Sequence, residues 1–423
     1  MAQRHIGFVS TRLAGTDGVS LESAKWSRIL EQAGHTCFYL AGELDRPPER
    51  CYVVPEAHFK HPLIQRLNAD LFDNIYRSPS TSETVSALRR RLKQQLRDFV
   101  ERFRIELLVV ENALSLPMNV PLGLALTEFI TETRIPAIAH HHDFYWERSR
   151  YALNAAEDYL KAAFPPAMSF LHHVVINSYA AEQVALRTGM RSTLIPNVMP
   201  FETPPPPPDE VSASLRAELG IGAGEVLLLQ PTRIVPRKRI ERAIELARKL
   251  ERPCCLLITH SSGDEGDAYR RYLAEYAELL GVKVLFAAER FNHVRGTTAD
   301  GRRIFSLADA YHAADLVTYP STLEGFGNAF LEAIYYRKPL FMSRYEIFKI
   351  DIQPKGFQVL AFDDFIDDRT VAAVRELLDH PEQVQAMVET NYELGRRHFS
   401  FEVLRRRLCP LVTQSCEAGS CQL

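Results

Sequence analysis

Short apolar runs alternate with amphipathic stretches along almost the whole chain, and this alternation limits the fold more than any other feature. Residues 6–10, 174–178, 225–230, 282–285, 314–320 and 339–342 read as buried strands. Residues 26–33, 85–103, 120–133, 240–250, 268–280 and 372–395 read as helices. Strand followed by helix, repeated, predicts parallel sheets covered by helices on both faces, an α/β class. The 423 residues exceed one ordinary core and suit two domains of about 200 residues each. Thr203 precedes five prolines at 204–208. Such a run adopts stiff polyproline II and cannot lie in a sheet, so it serves as a connector. The expected division is 1–203, 204–400, and a C-terminal helix and tail at 401–423, with 401–414 helical and the tail after Gln414 loose.

The strand at 314–320 leads into Ser321-Thr322-Leu323-Glu324-Gly325-Phe326-Gly327-Asn328 and a helix whose inner face is Ala329, Phe330, Ala333 and Ile334. A Gly-x-Gly turn ahead of a helix N-terminus attracts phosphate. Glu324 and Glu332 flank it. Carboxylates there would repel phosphate unless they accept hydrogen bonds from hydroxyls, and sugar and ribose hydroxyls are suitable donors. The combination implies a nucleotide-sugar site. Two glutamates near a helix start also arise simply because they favour its dipole.

A second element lies upstream. After the strand 225–230 come Pro231-Thr232-Arg233-Ile234-Val235-Pro236-Arg237-Lys238-Arg239. Pro236 bars continuation of the strand and fixes a turn, displaying basic side chains at the strand's carboxyl end, where ligands bind in open α/β sheets. A cation pair there lowers the cost of charge developing on a leaving diphosphate. A solvated basic loop would look the same.

Pro320-Ser321-x-x-Glu324-Gly325-Phe326-Gly327-x-x-x-x-Glu332-Ala333 resembles the signature of the retaining glycosyltransferases of family 4, the glycosyltransferase group 1. The resemblance implies a GT-B fold: two Rossmann-like α/β domains facing a central cleft, with a C-terminal helix crossing back to the first. It implies that Glu324 holds donor-sugar hydroxyls, Glu332 holds the ribose, and Gly325, Phe326, Gly327 and Asn328 border the diphosphate. Arg233 and Lys238 match the family's cation pair, with Arg237 and Arg239 expected to face solvent. No cofactor beyond the nucleotide-sugar co-substrate, and no metal, is expected.

In the N-terminal half, residues 15–20 form a loop leading into a helix, and glycine there allows close backbone approach of a ligand. Gly18 is the best match to the family's donor-facing glycine, while Thr16-Asp17 replaces the more usual second one. Further on stands His140-His141-His142-Asp143. Neighbours on a strand point to opposite faces, so at most two of the three histidines can converge on one ion. The resemblance places His142 near the donor's anomeric carbon, with His141 as runner-up. Asp17, His141 and Asp143 are acceptor-side candidates. Residues 44–80, with His58, Lys60 and His61, form the expected acceptor-selecting region. Residues 286–295 fall where the family contacts the base, 295–303 read as a polar insertion, and 343–348 shape a loop or serve the acceptor.

Net charge of −3 argues against a general nucleic-acid binder. Without a secretory signal or an 18-residue apolar run, the chain is expected to be cytoplasmic. Seven cysteines fit a reducing compartment, and Cys254 and Cys255 fit a core strand. Residues 88–100 place Leu88, Leu92, Leu96 and Phe99 on one stripe opposite basic residues. That pattern suits a helix docked on the sheet better than one lying on anionic lipid.

The expected activity is therefore retaining transfer of an α-hexosyl group, glucose or mannose, from a UDP- or GDP-sugar to a hydroxyl of a small soluble acceptor. A homo-oligomer is compatible with this. The alternatives are a nucleotide-sugar 2-epimerase of GT-B fold or a non-catalytic scaffold on the same fold.

Overall fold

The computed structural model describes residues 3–15, 17–263 and 266–420. They divide into two compact units, one of those up to Val198 with those from Phe401 onward, the other of those between Met199 and Ser400.

The first unit carries strands β1 (His5–Val9), β2 (Thr36–Ala41), β3 (Cys51–Val53), β4 (Leu107–Glu111), β5 (Ala137–His141), β6 (Leu171–Val175) and β7 (Ser192–Leu194). They form one parallel sheet in the order β3-β2-β1-β4-β5-β6-β7. Helices cover both faces, which is why β4, Leu-Leu-Val-Val-Glu, is buried along its whole length. The strand order reverses between β1 and β4. Asp17 caps the helix Gly18–Gln32 by accepting from the Val19 and Ser20 N–H groups.

The second unit carries β8 (Val226–Gln230), β9 (Cys254–Ile258), β10 (Lys283–Phe286), a small hairpin of β11 (Gly296–Thr297) with β12 (Arg303–Ile304), then β13 (Leu316–Tyr319), β14 (Leu340–Ser343) and β15 (Leu360–Phe362). Its parallel sheet runs β10-β9-β8-β13-β14-β15, with the reversal between β8 and β13. Met199 to Thr203 belong here: Met199 N–H donates to Phe399 O, and Phe201 packs edge-on against Tyr335 and Tyr392.

Two α/β units with parallel sheets and terminal helices match the expected architecture. The helix Phe401–Ser420 belongs to the first unit, where Phe401, Leu404, Leu408 and Val412 share a core with Trp26, Ile29 and Leu30. It outruns the expected end at Gln414 because Leu411, Val412 and Cys416 continue its buried stripe. The last three residues of the tail lie outside the described residues, as does Thr16. Residues 372–395 are two helices, Asp368–Asp379 and Pro381–His398, since Pro381 cannot continue a helix and instead starts the next. The strand expected at 174–178 sits earlier, at Leu171–Val175, because Asn177 caps the following helix.

The basic helix Pro79–Phe103 docks against its neighbour Val120–Thr133 rather than presenting a free cationic face. Leu88, Leu92, Leu96 and Phe99 are buried, while Lys93 pairs with Glu128 and Glu132 at 3.0 and 2.7 Å and Arg89 pairs with Glu128. Among the described residues no helix is long and apolar enough to cross a membrane.

Candidate active site

In the second unit the loops after β8, β9 and β13 meet at the sheet's reversal point. A buried hydrogen-bond chain ties the strands: Thr318 Oγ1 donates to Gln230 Oε1 at 2.8 Å, and Gln230 Nε2 donates to Thr232 Oγ1 at 2.7 Å. The loops are stitched by main chain too, Thr322 N–H to Arg237 O at 3.0 Å and Ile234 N–H to Ser261 O at 3.2 Å.

On this platform Lys238 is ion-paired with Glu324, each side chain one-tenth exposed. Burial would raise the Glu324 carboxyl, but Lys238 and Arg237 hold it below its ordinary value. Burial draws the Lys238 ammonium below the usual lysine range, partly offset by Glu324. Lys238 Nζ also stands 5.2 Å from the Tyr319 ring centroid. Arg233 is exposed at the mouth of the same loop. Arg237 does not face solvent as expected. It donates to Leu323 O at 3.3 Å and approaches Glu324 at 3.9 Å. Arg239 is likewise engaged, donating to Asp364 O at 2.9 Å.

Gly327 has φ of +115° and precedes the helix Asn328–Tyr335, which no side chain caps. A Cβ there would lie 2.4 Å from Tyr345 Oη, so glycine is required twice over. Tyr345 O–H donates to Phe326 O at 2.7 Å. Residues 343–348 thus support the Gly-x-Gly turn. Phe326 is buried edge-on against Phe399, and the inner face expected for the helix, Ala329, Phe330, Ala333 and Ile334, is buried. Glu332 accepts from the Tyr311 hydroxyl at 2.9 Å. The segment 295–303 forms the hairpin, and Arg295 binds Asp209 and Asp309, anchoring that hairpin to its own unit.

Sequence reasoning missed His260, just beyond β9. Burial, with Lys238 and Arg233 adding repulsion, pulls its imidazole down to about 4, so it is neutral beside the two cations. Its signal was a polar residue ending a buried strand.

In the first unit, the ends of β4 and β5 place Glu111, His140 and His142 together, all buried. Glu111 Oε2 lies 2.9 Å from His140 Nδ1 and 3.1 Å from His142 Nε2. Burial alone would raise Glu111, yet the two imidazoles hold its carboxyl down to about 2. Burial opposes the charged form of His142 as well, and the hydrogen bond to Glu111 overrides it, leaving that imidazole above its ordinary value. His140 is lowered by burial and stacks on Trp26 at 4.0 Å. The three ligand-type atoms lie within 4.8 Å of one another, a grouping that could hold a metal ion. The carboxylate–imidazole bonds account for the same convergence without one.

His141 points to the other face, as strand alternation requires. It bonds His173 Nδ1 at 2.9 Å and contacts Phe144, so it is not brought together with His142. Asp143 pairs with Arg148 at 2.8 Å. Gly18, exposed, opens the first helix, and Asp17 caps it while accepting from Arg12 at 2.9 Å. Glu111 was not foreseen, because it ends a run that otherwise reads as plain core strand.

The family description "Glycosyl transferases group 1" matches residues 303–394, the stretch holding Glu324, Gly327 and Glu332. A mannosylglucosylglycerate synthase of Thermotoga maritima is 32% identical over 436 aligned positions, covering 93% of this chain and 97% of that protein. The protein of the same name from Petrotoga mobilis is 33% identical over 383 positions, covering 84% and 86%. The crystal structure of a glycosyltransferase from Rickettsia africae ESF-5 superposes with a TM-score of 0.68 at 11% identity, covering 98% and 99%, a likeness of fold. With relatives aligned over nearly its full length and the group 1 signature intact, the chain belongs to the group 1 glycosyltransferases of GT-B fold and is a hexosyltransferase.

Proposed function

We propose that the enzyme transfers a mannosyl group from a nucleoside-diphosphate mannose to glucosylglycerate, with retention of the α configuration. The observation that carries this reading is the buried Lys238–Glu324 pair at the reversal point of the second sheet, beside an uncapped helix N-terminus. The name shared by the two relatives supplies the sugar and the acceptor.

In this account Lys238 shares its three N–H donors between Glu324 and a donor phosphate, and Arg233 supplies the second cation. Together they meet the negative charge that grows on the departing diphosphate. Glu324, kept ionised by Lys238, accepts hydrogen bonds from sugar hydroxyls. Glu332, oriented by Tyr311, accepts from the ribose. The leaving phosphate takes the acceptor's proton as the new glycosidic bond forms on the same face of the sugar. Charge compensation by two side-chain cations leaves no step that requires a divalent ion.

Thermal-shift measurements against UDP, GDP, ADP and their hexose conjugates, with and without EDTA, test the donor side. One nucleotide series is expected to raise the midpoint in both conditions, since only ligands that prefer the folded state do so. A midpoint unmoved by every nucleotide contradicts the proposal.

A further inference from the structure

We infer that the pocket at the carboxyl ends of β1 and β4 binds the acceptor as a sugar acid, with Arg12 as the residue that reads its carboxylate. This inference rests on the mannosyltransferase reading above and assigns the acceptor site in the first unit. The pocket opens to solvent and is lined by Ser10, Arg12, Asp17, Phe59, Glu111 and Asn112, among others.

Arg12 is held in place without being used up. Its NH2 donates to Asp17 Oδ2 at 2.9 Å, and among the described residues the guanidinium makes no other hydrogen bond. Four of its five N–H groups remain for a ligand. Asp17 is saturated by contrast: Oδ1 accepts from the Val19 and Ser20 N–H groups, and Oδ2 accepts from the Ser20 hydroxyl as well as from Arg12. It fixes Arg12 and has no capacity left to bind substrate itself. The Phe59 ring lies 5.4 Å from the guanidinium carbon and 5.9 Å from Lys60 Nζ, so one aromatic ring has two cations close to it. Gly42 makes that arrangement possible. A Cβ there would come within 2.3 Å of His58, so only glycine lets the segment carrying Phe59 and Lys60 lie against the end of β2.

Glu111, which also lines the pocket, has the reverse character. Glu111 is fully buried, and its Oε2 is taken by His140 and His142, while its Oε1 is buried with no hydrogen-bond partner. A carboxylate oxygen in that state calls for an O–H donor, since an unmet buried acceptor costs the whole desolvation penalty of the group. A pocket lined by both a planar cation and a carboxylate with one unmet oxygen fits a molecule bearing both a carboxylate and hydroxyls. Glycerate and its glycosides have this chemistry. A phosphate monoester would set two negative charges beside the carboxylates of Asp17 and Glu111 and fits less well.

The test compares kcat/KM for glucosylglycerate, for neutral glucosylglycerol and for glucose 6-phosphate in the wild-type enzyme, Arg12→Gln and Lys60→Gln. Loss of a charge-assisted, two-pronged contact predicts that the preference for glucosylglycerate over glucosylglycerol falls about 30-fold in Arg12→Gln. A smaller fall in the same direction is expected in Lys60→Gln, whose exposed side chain leaves the fold intact. If wild type prefers the sugar acid and both variants keep that preference within about twofold, Arg12 does not read the carboxylate and this inference alone is overturned. It is overturned equally if glucose 6-phosphate is the best acceptor. If wild type binds a nucleotide sugar yet transfers to neither glucosyl compound, the mannosyltransferase reading falls and takes this inference with it. Should Arg12→Gln fail to fold, Lys60→Gln decides by the same ratio.

Discussion

Lys238 and Glu324 lie 86 residues apart in sequence and form a buried ion pair that joins the loops after β8 and β13. Neither charge is tolerable alone at that burial, so the pair holds the two loops in one register. Under the proposed mechanism Lys238→Ala removes charge stabilisation from the transition state and should lower kcat by about a hundredfold to a thousandfold, or roughly 3–4 kcal/mol. It should also lower the melting temperature, because Glu324 is left buried and unpaired. Calorimetry on Lys238→Met/Glu324→Gln separates the two effects. The double variant should regain most of the stability and none of the activity.

Glu332, assigned to the ribose in the proposed mechanism, accepts the Tyr311 hydroxyl at 2.9 Å. In Tyr311→Phe the carboxylate loses that anchor. Steady-state kinetics should show a donor KM raised about 3- to 10-fold with kcat little changed, as expected when a binding contact shared by ground and transition states is weakened. A fall in kcat alone would place Tyr311 elsewhere in the mechanism.

At Gly327 an alanine would have to adopt φ of +115° with its Cβ 2.4 Å from Tyr345 Oη. Strain of this kind costs about 1–3 kcal/mol. Gly327→Ala should melt several degrees lower and bind nucleotide at least tenfold more weakly by titration calorimetry. Adding Tyr345→Phe removes the clashing oxygen but leaves the backbone strain, so only part of the loss should return.

Glu147 gives a pH signature. Burial, with Asp143 nearby, pushes its carboxyl up to about 7, although Phe144 N–H donates to it at 3.1 Å. Between the ordinary carboxyl range and about pH 7 the folded state therefore holds a proton that the unfolded state has released. Stability falls as pH rises through that window. Glu147→Gln removes the ionisation while keeping an acceptor for Phe144. Its melting temperature should gain more over wild type at pH 8 than at pH 5, and an equal gain at both would contradict the assignment.

Much of this was legible because parallel sheets write themselves as apolar runs. β8, β13 and β14 are buried on both faces, and the turn after β13 needs Gly327 at a φ no other residue adopts readily. Helix boundaries set by a single residue were legible in principle, as at Pro381 and Asn177, but periodicity alone ran through them. What stayed hidden was tertiary. Glu111 sits at the end of a strand whose hydrophobicity masks it, and it gains meaning only when β5 brings His140 and His142 alongside. Tyr345 supports a turn 19 residues upstream through a contact that no local pattern encodes. Arg237 looked like one more loop cation until the loop after β13 came within its reach.

The central claim is mannosyl transfer with retention, and product analysis reads it directly. The enzyme is incubated with GDP-mannose or UDP-mannose and glucosylglycerate, and the mixture is followed by 31P and 13C NMR. The predicted result is nucleoside diphosphate released one for one with a new α-mannosyl linkage on the glucosyl unit, its one-bond C–H coupling that of an α-anomer. Turnover of neither nucleotide sugar in the presence of that acceptor, epimerised sugar nucleotide without a glycoside, or a β-linked product would contradict it.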